Sequence, residues 1–366
     1  MTFNRIIVAT PGISGADGAA ELARQWVDAL DASTGAGAAI EVWSLTDAER
    51  PAALPDRVAF TSAAGSRWRF ASAAINAEAI TEHTLLVVMH VHLLPALMPL
   101  LWRGARAVTV MLGIEVWKPL RPLQRMALRR SWRLVAISAY TADRFRCDNP
   151  ALADLPVTIC HPHAPAAVPP AAAAGRVLAG DPADPSSYAL IVGRMSAEER
   201  YKGHDLLIDI WPRVVAQAPN ASLLVAGGGD DVGRLRQKAA AAGLGDRLRF
   251  LGPVTAARLS ALYRDATCFV MPSAGEGFGI VFLEAMRAGT PCVAGPGAAE
   301  EIITDGHDGV IVDPARPDDL AEAVARLFLD APYRGRLGAA ARDCVARRFT
   351  ADRLAARVTA LLADGC

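Results

Sequence analysis

Short apolar runs alternating with amphipathic stretches, twice over along one chain, constrain the fold more than any other feature of this sequence. In the first half the strand candidates are residues 5–9, 39–45, 85–90, 107–112, 134–138 and 157–160, separated by helical patterns such as DGAAELARQWVDAL and RWRFASAAINAEAI. The alternation then pauses. The stretch HAPAAVPPAAAAGRVLAGDPADPSS is rich in Ala, Pro and Asp without apolar periodicity and reads as a linker. Strand candidates resume with YALIVGR, ASLLVAGG, RLRFLG, TCFVMP, PCVAG and GVIVDP. Strands that alternate with helices build parallel sheets covered on both faces, so two doubly wound α/β domains in tandem are predicted. The predicted boundaries are 1–165, a linker at 166–187, a second domain at 188–348 and a terminal helix at 349–366. A chain of 366 residues also exceeds what one hydrophobic core usually serves.

Charge narrows the partners. The 38 basic residues are balanced by 38 acidic ones, which argues against a dedicated nucleic-acid binder. Cys147, Cys160, Cys268, Cys292, Cys344 and Cys366 are scattered without CxxC pairs, the pattern of reduced thiols in a cytoplasmic protein. The N-terminal IIVA run breaks at once into a Pro-Gly turn, unlike a signal peptide. The run LLPALMPLLW holds two prolines and is too short to span a bilayer.

In doubly wound sheets, ligands bind beyond the carboxyl ends of the strands. Two motifs sit at such ends. In GRMSAEERYKG, Arg194 follows a strand and Lys202 precedes a helix, a placement suited to gripping a diphosphate with one fork and one point charge. A solvated loop is the other reading, since Glu198, Glu199 and Arg200 lie between them. In GEGFGIVFLEAMRAGTPCVA, helical spacing runs from Gly279 to Ala288, with Gly289 as C-cap and Pro291 preventing continuation. Gly277, Phe278 and Gly279 form its first turn, where free N–H groups favour phosphate. Glu276 would repel that phosphate, so a neutral hydroxylated group such as a sugar is its expected partner; helix capping is the alternative. Glu284 leans back toward the same helix end, where it could accept vicinal ribose hydroxyls or remain a solvated helix position.

GRMSAEERYKG followed some seventy residues later by EGFGIVFLEAMRAGTPCVA resembles the glycosyltransferase family 4 signature. The glycine-rich turn TPGISGADG and the tail FTADRLAARVTALL extend the resemblance to most of the chain. It implies the GT-B fold: two doubly wound Rossmann-like domains facing a central cleft, with a C-terminal helix crossing back to the first. It further implies a retaining, metal-independent transfer, without cofactor, in which the leaving phosphate helps deprotonate the acceptor. The donor would be GDP-mannose or a UDP-hexose and the acceptor a saccharide or lipid-linked sugar, in bacterial surface or exopolysaccharide synthesis. Arg194, Lys202 and Glu276 then carry the catalysis. Gly193 joins Arg194 and Lys202 at the diphosphate, the Phe278 and Gly279 backbone supports phosphate and sugar beside Gly277, and Glu284 holds the ribose. Val254, in LGPV, flanks the base, with Gly227 and Gly228 leaving it room. No Asp-x-Asp pair stands ready to hold a metal against the diphosphate.

The first domain is expected to bind the acceptor. Gly12 and Gly15 would let their loop approach the donor phosphates, or simply serve a strand-to-helix turn. Asp17 could touch acceptor hydroxyls or cap the next helix. Relatives commonly carry a histidine in a stretch resembling HGIEVW; here VTVMLGIEVWKPL places Leu112 there. Glu115, or His90 and His92, would take over part of its role. That histidine pair makes an unconvincing metal site without a third ligand. Between residues 103 and 133 only Glu115 opposes Arg103, Arg106, Lys118, Arg121, Arg125, Arg129, Arg130 and Arg133, with Trp102, Trp117 and Trp132 close by. Such a surface could rest on anionic lipid headgroups at the inner face of the plasma membrane, or be an ordinary solvated helix face. A nucleotide-sugar epimerase of the same architecture would need acid and base groups on both sides of the sugar, and no such set is evident. A catalytically silent sugar-nucleotide binder is kept open by Leu112. A nicotinamide dehydrogenase lacks its GxGxxG turn.

Overall fold

The computed structural model describes residues 3–15, 17–166 and 187–363; apart from its two end residues, the expected linker lies outside the described residues. The chain divides into two compact units, Met1–His163 with Thr350–Cys366, and Ala164–Phe349. Among the described residues the first unit holds a seven-stranded parallel sheet: β1 (Arg5–Thr10), β2 (Ala39–Ser44), β3 (Ala59–Ser62), β4 (Thr84–Val88), β5 (Arg106–Met111), β6 (Arg133–Ala136) and β7 (Val157–Ile159). Their order is β3-β2-β1-β4-β5-β6-β7. β3 was missed by the sequence reading, because this edge strand is half-buried or exposed throughout and AFTS shows no apolar run. The second unit holds β8 (Tyr188–Val192), β9 (Ser222–Ala226), β10 (Leu248–Gly252), β11 (Cys268–Met271), β12 (Cys292–Ala294) and β13 (Val310–Ile311), in the order β10-β9-β8-β11-β12-β13.

Continuous apolar runs become central strands because helices cover both faces. β1 and β4 are buried along nearly their full length, and β8 likewise. In both sheets the first strand of the unit lies between two neighbours reached by crossovers in opposite directions: β1 between β2 and β4, β8 between β9 and β11. Those are the switch points where strand ends splay and leave a crevice. After the second unit ends, the helix Ala351–Ala363 packs within the first one, against the helix Gly18–Thr34. Leu354, Val358 and Leu361 recur at i, i+4 and i+7 and are buried there, while the Thr359 hydroxyl donates to Ser33 Oγ at 2.9 Å. No helix among the described residues is long and apolar enough to cross a membrane.

Candidate active site

Two loops meet at the switch point of the second sheet. β8 ends in Gly193 and Arg194, and a short 3-10 turn, Ala197–Lys202, leads to the helix His204–Gln217. β11 ends next door and continues into Ser273, Glu276 and the helix Ile280–Ala288. Gly203, at φ +88°, presses so closely on this second loop that a Cβ there would lie 2.8 Å from Pro272 Cγ. The Ala274 N–H donates to the Tyr201 carbonyl at 3.0 Å, fastening one loop to the other. Motifs seventy residues apart are thereby held side by side.

Glycines allow the crowding. A Cβ on Gly227, at φ +127°, would strike the Gly193 carbonyl oxygen, and one on Gly193 would lie 3.4 Å from Lys202 Cδ. Gly228 accepts from the Met195 N–H at 2.8 Å and faces Pro253. Val254 follows β10, half-buried, at the neighbouring strand end.

Arg194 and Lys202 converge on one acid, Glu199. Arg194 clasps it with two bonds, Nε to Oε2 at 3.2 Å and Nη2 to Oε1 at 2.5 Å, and Lys202 Nζ lies 3.0 Å from Oε2. Lys202 is 15% exposed and Arg194 64%, so the lysine is the fixed member and the arginine the reaching one. Burial would raise the Glu199 carboxyl, but the Arg194 bonds and Lys202 outweigh it and hold the acid below its ordinary range. The sequence places Arg194 and Lys202 at a diphosphate but leaves Glu199 only as part of a solvated loop. The missed signal was the spacing of Glu199, three residues before Lys202 on a tight turn and five after Arg194.

Glu276 is placed differently. Its one hydrogen bond among the described residues comes from the Ser273 hydroxyl at 3.5 Å. Burial pushes its carboxyl up to about 6; Lys202 pulls it down and Glu199 adds to the rise. Tyr201 stands in the same group, its phenol raised by burial and by the charges of Glu276 and Glu199. Glu276 does not cap the following helix, since Gly279 in the left-handed region holds that position.

The helix Ile280–Ala288 ends at Gly289, again left-handed, whose N–H bonds back to Ala285 and Met286. Phe278 is buried against Phe349, ring centroids 5.8 Å apart, which pins the turn of Gly277 and Gly279. Glu284 is half-buried and accepts from the Tyr263 hydroxyl at 2.9 Å. Tyr263 carries a role that the sequence did not announce.

In the first unit, the acids serve the backbone. The Asp47 carboxylate accepts from the N–H groups of Ile13 at 2.7 Å and Ser14 at 3.2 Å, and from the Ser44 hydroxyl at 2.6 Å. Burial raises Asp47, but these bonds prevail and lower it. Gly12 is required by closeness, as a Cβ would sit 2.7 Å from Thr46 Oγ1; a Cβ on Gly15 would lie 3.2 Å from Asp17 Oδ2. Asp17 caps the helix Gly18–Thr34 through the Ala20 N–H at 2.9 Å. Glu115 is buried, and burial raises its carboxyl, while the Leu112 N–H donates to it at 2.5 Å and, with the nearby N–H groups of Glu115 and Gly113, pulls it back down. His90 Nδ1 accepts from the His92 N–H at 3.2 Å, with burial lowering His90 to about 4. Among the described residues no three of His, Cys, Asp and Glu converge as metal ligands.

The basic stretch at residues 103–133 is not one helical face. The helix is only Pro122–Leu128, with Arg121 and Arg129 as its caps. Arg129 bonds to the Ala151 carbonyl and pairs with Asp154 at 3.5 Å. Trp132 stacks with Arg106, Arg133 and Phe3, and Trp117 with Tyr140 and Arg144. Of the three tryptophans, Trp102 alone is largely exposed.

Residues 181–343, nearly all of the second unit, match the family model "Glycosyl transferases group 1". The second unit is thus similar to the group 1 glycosyl transferases. The GDP-mannose-dependent alpha-(1-6)-phosphatidylinositol monomannoside mannosyltransferase of Mycobacterium tuberculosis is 37% identical over 169 residues, 44% of this chain and 44% of that protein. The D-inositol 3-phosphate glycosyltransferase of Stackebrandtia nassauensis is 35% identical over 169 residues, 43% of this chain and 38% of that one. The chain thus spans under half the length of these curated relatives. Among solved structures, Anabaena Alr3699/HepE in complex with UDP and glucose superposes with a TM-score of 0.77 at 17% identity, covering 99% of this chain and 100% of that one. Sucrose-phosphate synthase from Thermosynechococcus elongatus gives 0.78 at 21% identity, covering 99% and 98%. At such identities these two likenesses establish the GT-B fold alone.

Proposed function

We propose that this GT-B protein transfers a hexose from a nucleotide-diphosphate sugar, GDP-mannose or a UDP-hexose, to a saccharide or lipid-linked acceptor, with retention of configuration and without a metal. The observation that carries this reading is the meeting of Arg194, Lys202 and Glu276 at the adjoining ends of β8 and β11. Arg194 and Lys202 would exchange Glu199 for diphosphate oxygens, and amide hydrogens at the start of the Ile280–Ala288 helix would add to the anion's field. Glu276, nearly without donors of its own, has acceptor capacity left for hexose hydroxyls. Glu284 would bind the ribose beside its Tyr263 contact. As the sugar C1–O bond to the diphosphate breaks, a bond to the acceptor oxygen forms on the same face, and the acceptor proton passes to the leaving phosphate. Arg194 and Lys202 stabilise the negative charge that develops there. A role at the cytoplasmic face of the plasma membrane, in surface or exopolysaccharide assembly, goes with this reading.

Two names support it: a relative called GDP-mannose-dependent and a structural neighbour solved with UDP and glucose. Thermal shifts across a panel of nucleotide sugars test it. One donor at a hundred times its Kd is expected to stabilise the protein by about 2.7 kcal/mol. No shift with any of them would sink the assignment. A silent sugar-nucleotide binder is the second reading, favoured by Leu112, whose side chain cannot act on a sugar and whose N–H is taken by Glu115. Donor binding without nucleotide release, with or without acceptors, would select it.

A further inference from the structure

Large apolar side chains are unevenly exposed in this molecule. Among the described residues seven large apolar side chains are exposed, and five of them, Trp68, Ile75, Trp102, Leu123 and Met126, lie on three short helices of the first unit, Arg67–Asn76, Met98–Trp102 and Pro122–Leu128; Ile114 and Leu329 stand elsewhere. All three pack on the same 3-10 segment, Val91–Leu97. Their inward residues, Phe70, Ala74, Met98, Leu100, Ala127 and Leu128, enter one core. The three helices therefore lie side by side around that segment, each with an exposed apolar side chain. Trp68 is 87% exposed, Trp102 65% and Ile75 63%, and it is apolar side chains grouped together and rimmed by polar ones that mark an interaction surface.

The charges around them have one sign. Arg67, Arg69, Arg103, Lys118, Arg121 and Arg125 are exposed on these elements or at their ends, and the segments 67–76, 98–103 and 118–128 contain no Asp or Glu. Arg103 joins two of the elements by donating to the Ile75 carbonyl at 3.3 Å and to the Ala77 carbonyl. Arg67, Lys118 and Arg121 together depress His92, after burial, so the outer ends of the first and third helices share one field.

We propose that this face docks on an anionic lipid surface, with Trp68, Ile75, Trp102, Leu123 and Met126 entering the headgroup boundary and the six cations meeting lipid phosphates. Exposed tryptophan and aliphatic side chains ringed by arginine match such an interface. A second copy of this chain would bring like charges together, and a nucleic acid would leave the aliphatic side chains in water. The face differs from the stretch at residues 103–133: Arg106, Arg129 and Arg133 are engaged elsewhere, and Arg67, Trp68, Arg69 and Ile75 join it.

Flotation of the full chain tests this, using vesicles of phosphatidylcholine with phosphatidylglycerol against phosphatidylcholine alone at low salt. Binding to the mixed vesicles is expected, weakened by salt and by R121E/R125E. W68S/W102S and, independently, L123S/M126S are each expected to lower the partition coefficient about tenfold, with wild-type melting temperatures. Absence from the mixed vesicles, equal flotation of the variants, or self-association relieved by W68S/W102S would overturn the proposal. Donor-induced thermal shifts on the same variants keep this result separate from the donor reading: lost flotation with an intact shift isolates the docking face.

Discussion

Glu115 and Glu276 are two acids at the carboxyl ends of parallel strands, one after β5 and one after β11, and burial raises both. Around Glu115, the Leu112 N–H donates to the carboxyl at 2.5 Å, and the N–H groups of Gly113 and of Glu115 itself add their pull. Around Glu276 there is one long bond from Ser273 and the field of Lys202. Burial alone therefore does not mark a binding acid. What separates the two is unspent acceptor capacity, which a polar ligand can fill and a folded loop already has filled. Asp47 and Asp17 side with Glu115, since each spends its oxygens on main-chain donors.

The largest effect that could break this contrast lies in the two cations that close on Glu199, of which Lys202 also acts on Glu276. Removing both in R194A/K202A takes away at least two charged hydrogen bonds to a diphosphate, at about 1.5–3 kcal/mol each, and should weaken donor binding by about a hundredfold or more. Calorimetric titration with the donor found in the panel measures it; an affinity within a few-fold of wild type would refute the assignment of both residues. Next is E276Q, which keeps the shape and removes the charge. Losing charged acceptance of a sugar hydroxyl should lower kcat/KM by about ten- to a hundredfold. Its melting temperature should not fall, because an under-partnered buried charge is being neutralised.

Much of the fold was legible because parallel strands buried on both faces must be apolar along their length, as in IIVA or YALIV. β3 escaped that logic at its exposed edge. Gly289 and Pro291 announced a helix end from sequence alone, and Gly279 took a left-handed cap that its lack of a Cβ permits. What could not be read was pairing at a distance. Nothing local reveals that Glu199 would bridge Arg194 and Lys202, that Tyr263 would reach Glu284, or that Asp47 would hold the loop of Gly12 and Gly15. Those contacts depend on which strand ends become neighbours, and that is decided by sheet order. The extent of the helix at Arg125 has a local cause: Pro122 starts it at its first turn, leaving Arg121 as its N-cap.

A smaller effect should appear at Glu115. E115A leaves the buried turn's Leu112 N–H without its acceptor, and the first unit should lose about 1–3 kcal/mol in denaturant unfolding. Donor binding should stay at the wild-type value, because the acid serves its own turn. A variant of normal stability that no longer transfers sugar would reverse the comparison and make Glu115 the working acid.

The smallest effect is in pH, and its sign differs between the units. Glu276 titrates at about 6 when folded against an ordinary 4.5, so the folded state holds its proton more tightly than the unfolded chain does. Its ionisation weakens the fold fully above pH 6, and that cost fades as pH falls toward 4.5. Asp47 is shifted downward, so its contribution is present above its ordinary 3.8 and is lost as pH falls through its folded value. Urea midpoints of wild type and E276Q should therefore differ by a constant amount above pH 6 and converge as pH falls toward 4.5, whereas D47N and wild type should converge only in more acidic solution. In kinetics, kcat/KM should decline below pH 6 in the wild type, and that limb should vanish in E276Q. A limb that survives the substitution would place the titrating group elsewhere and remove Glu276 from the side of the comparison where acceptor capacity is held for a ligand.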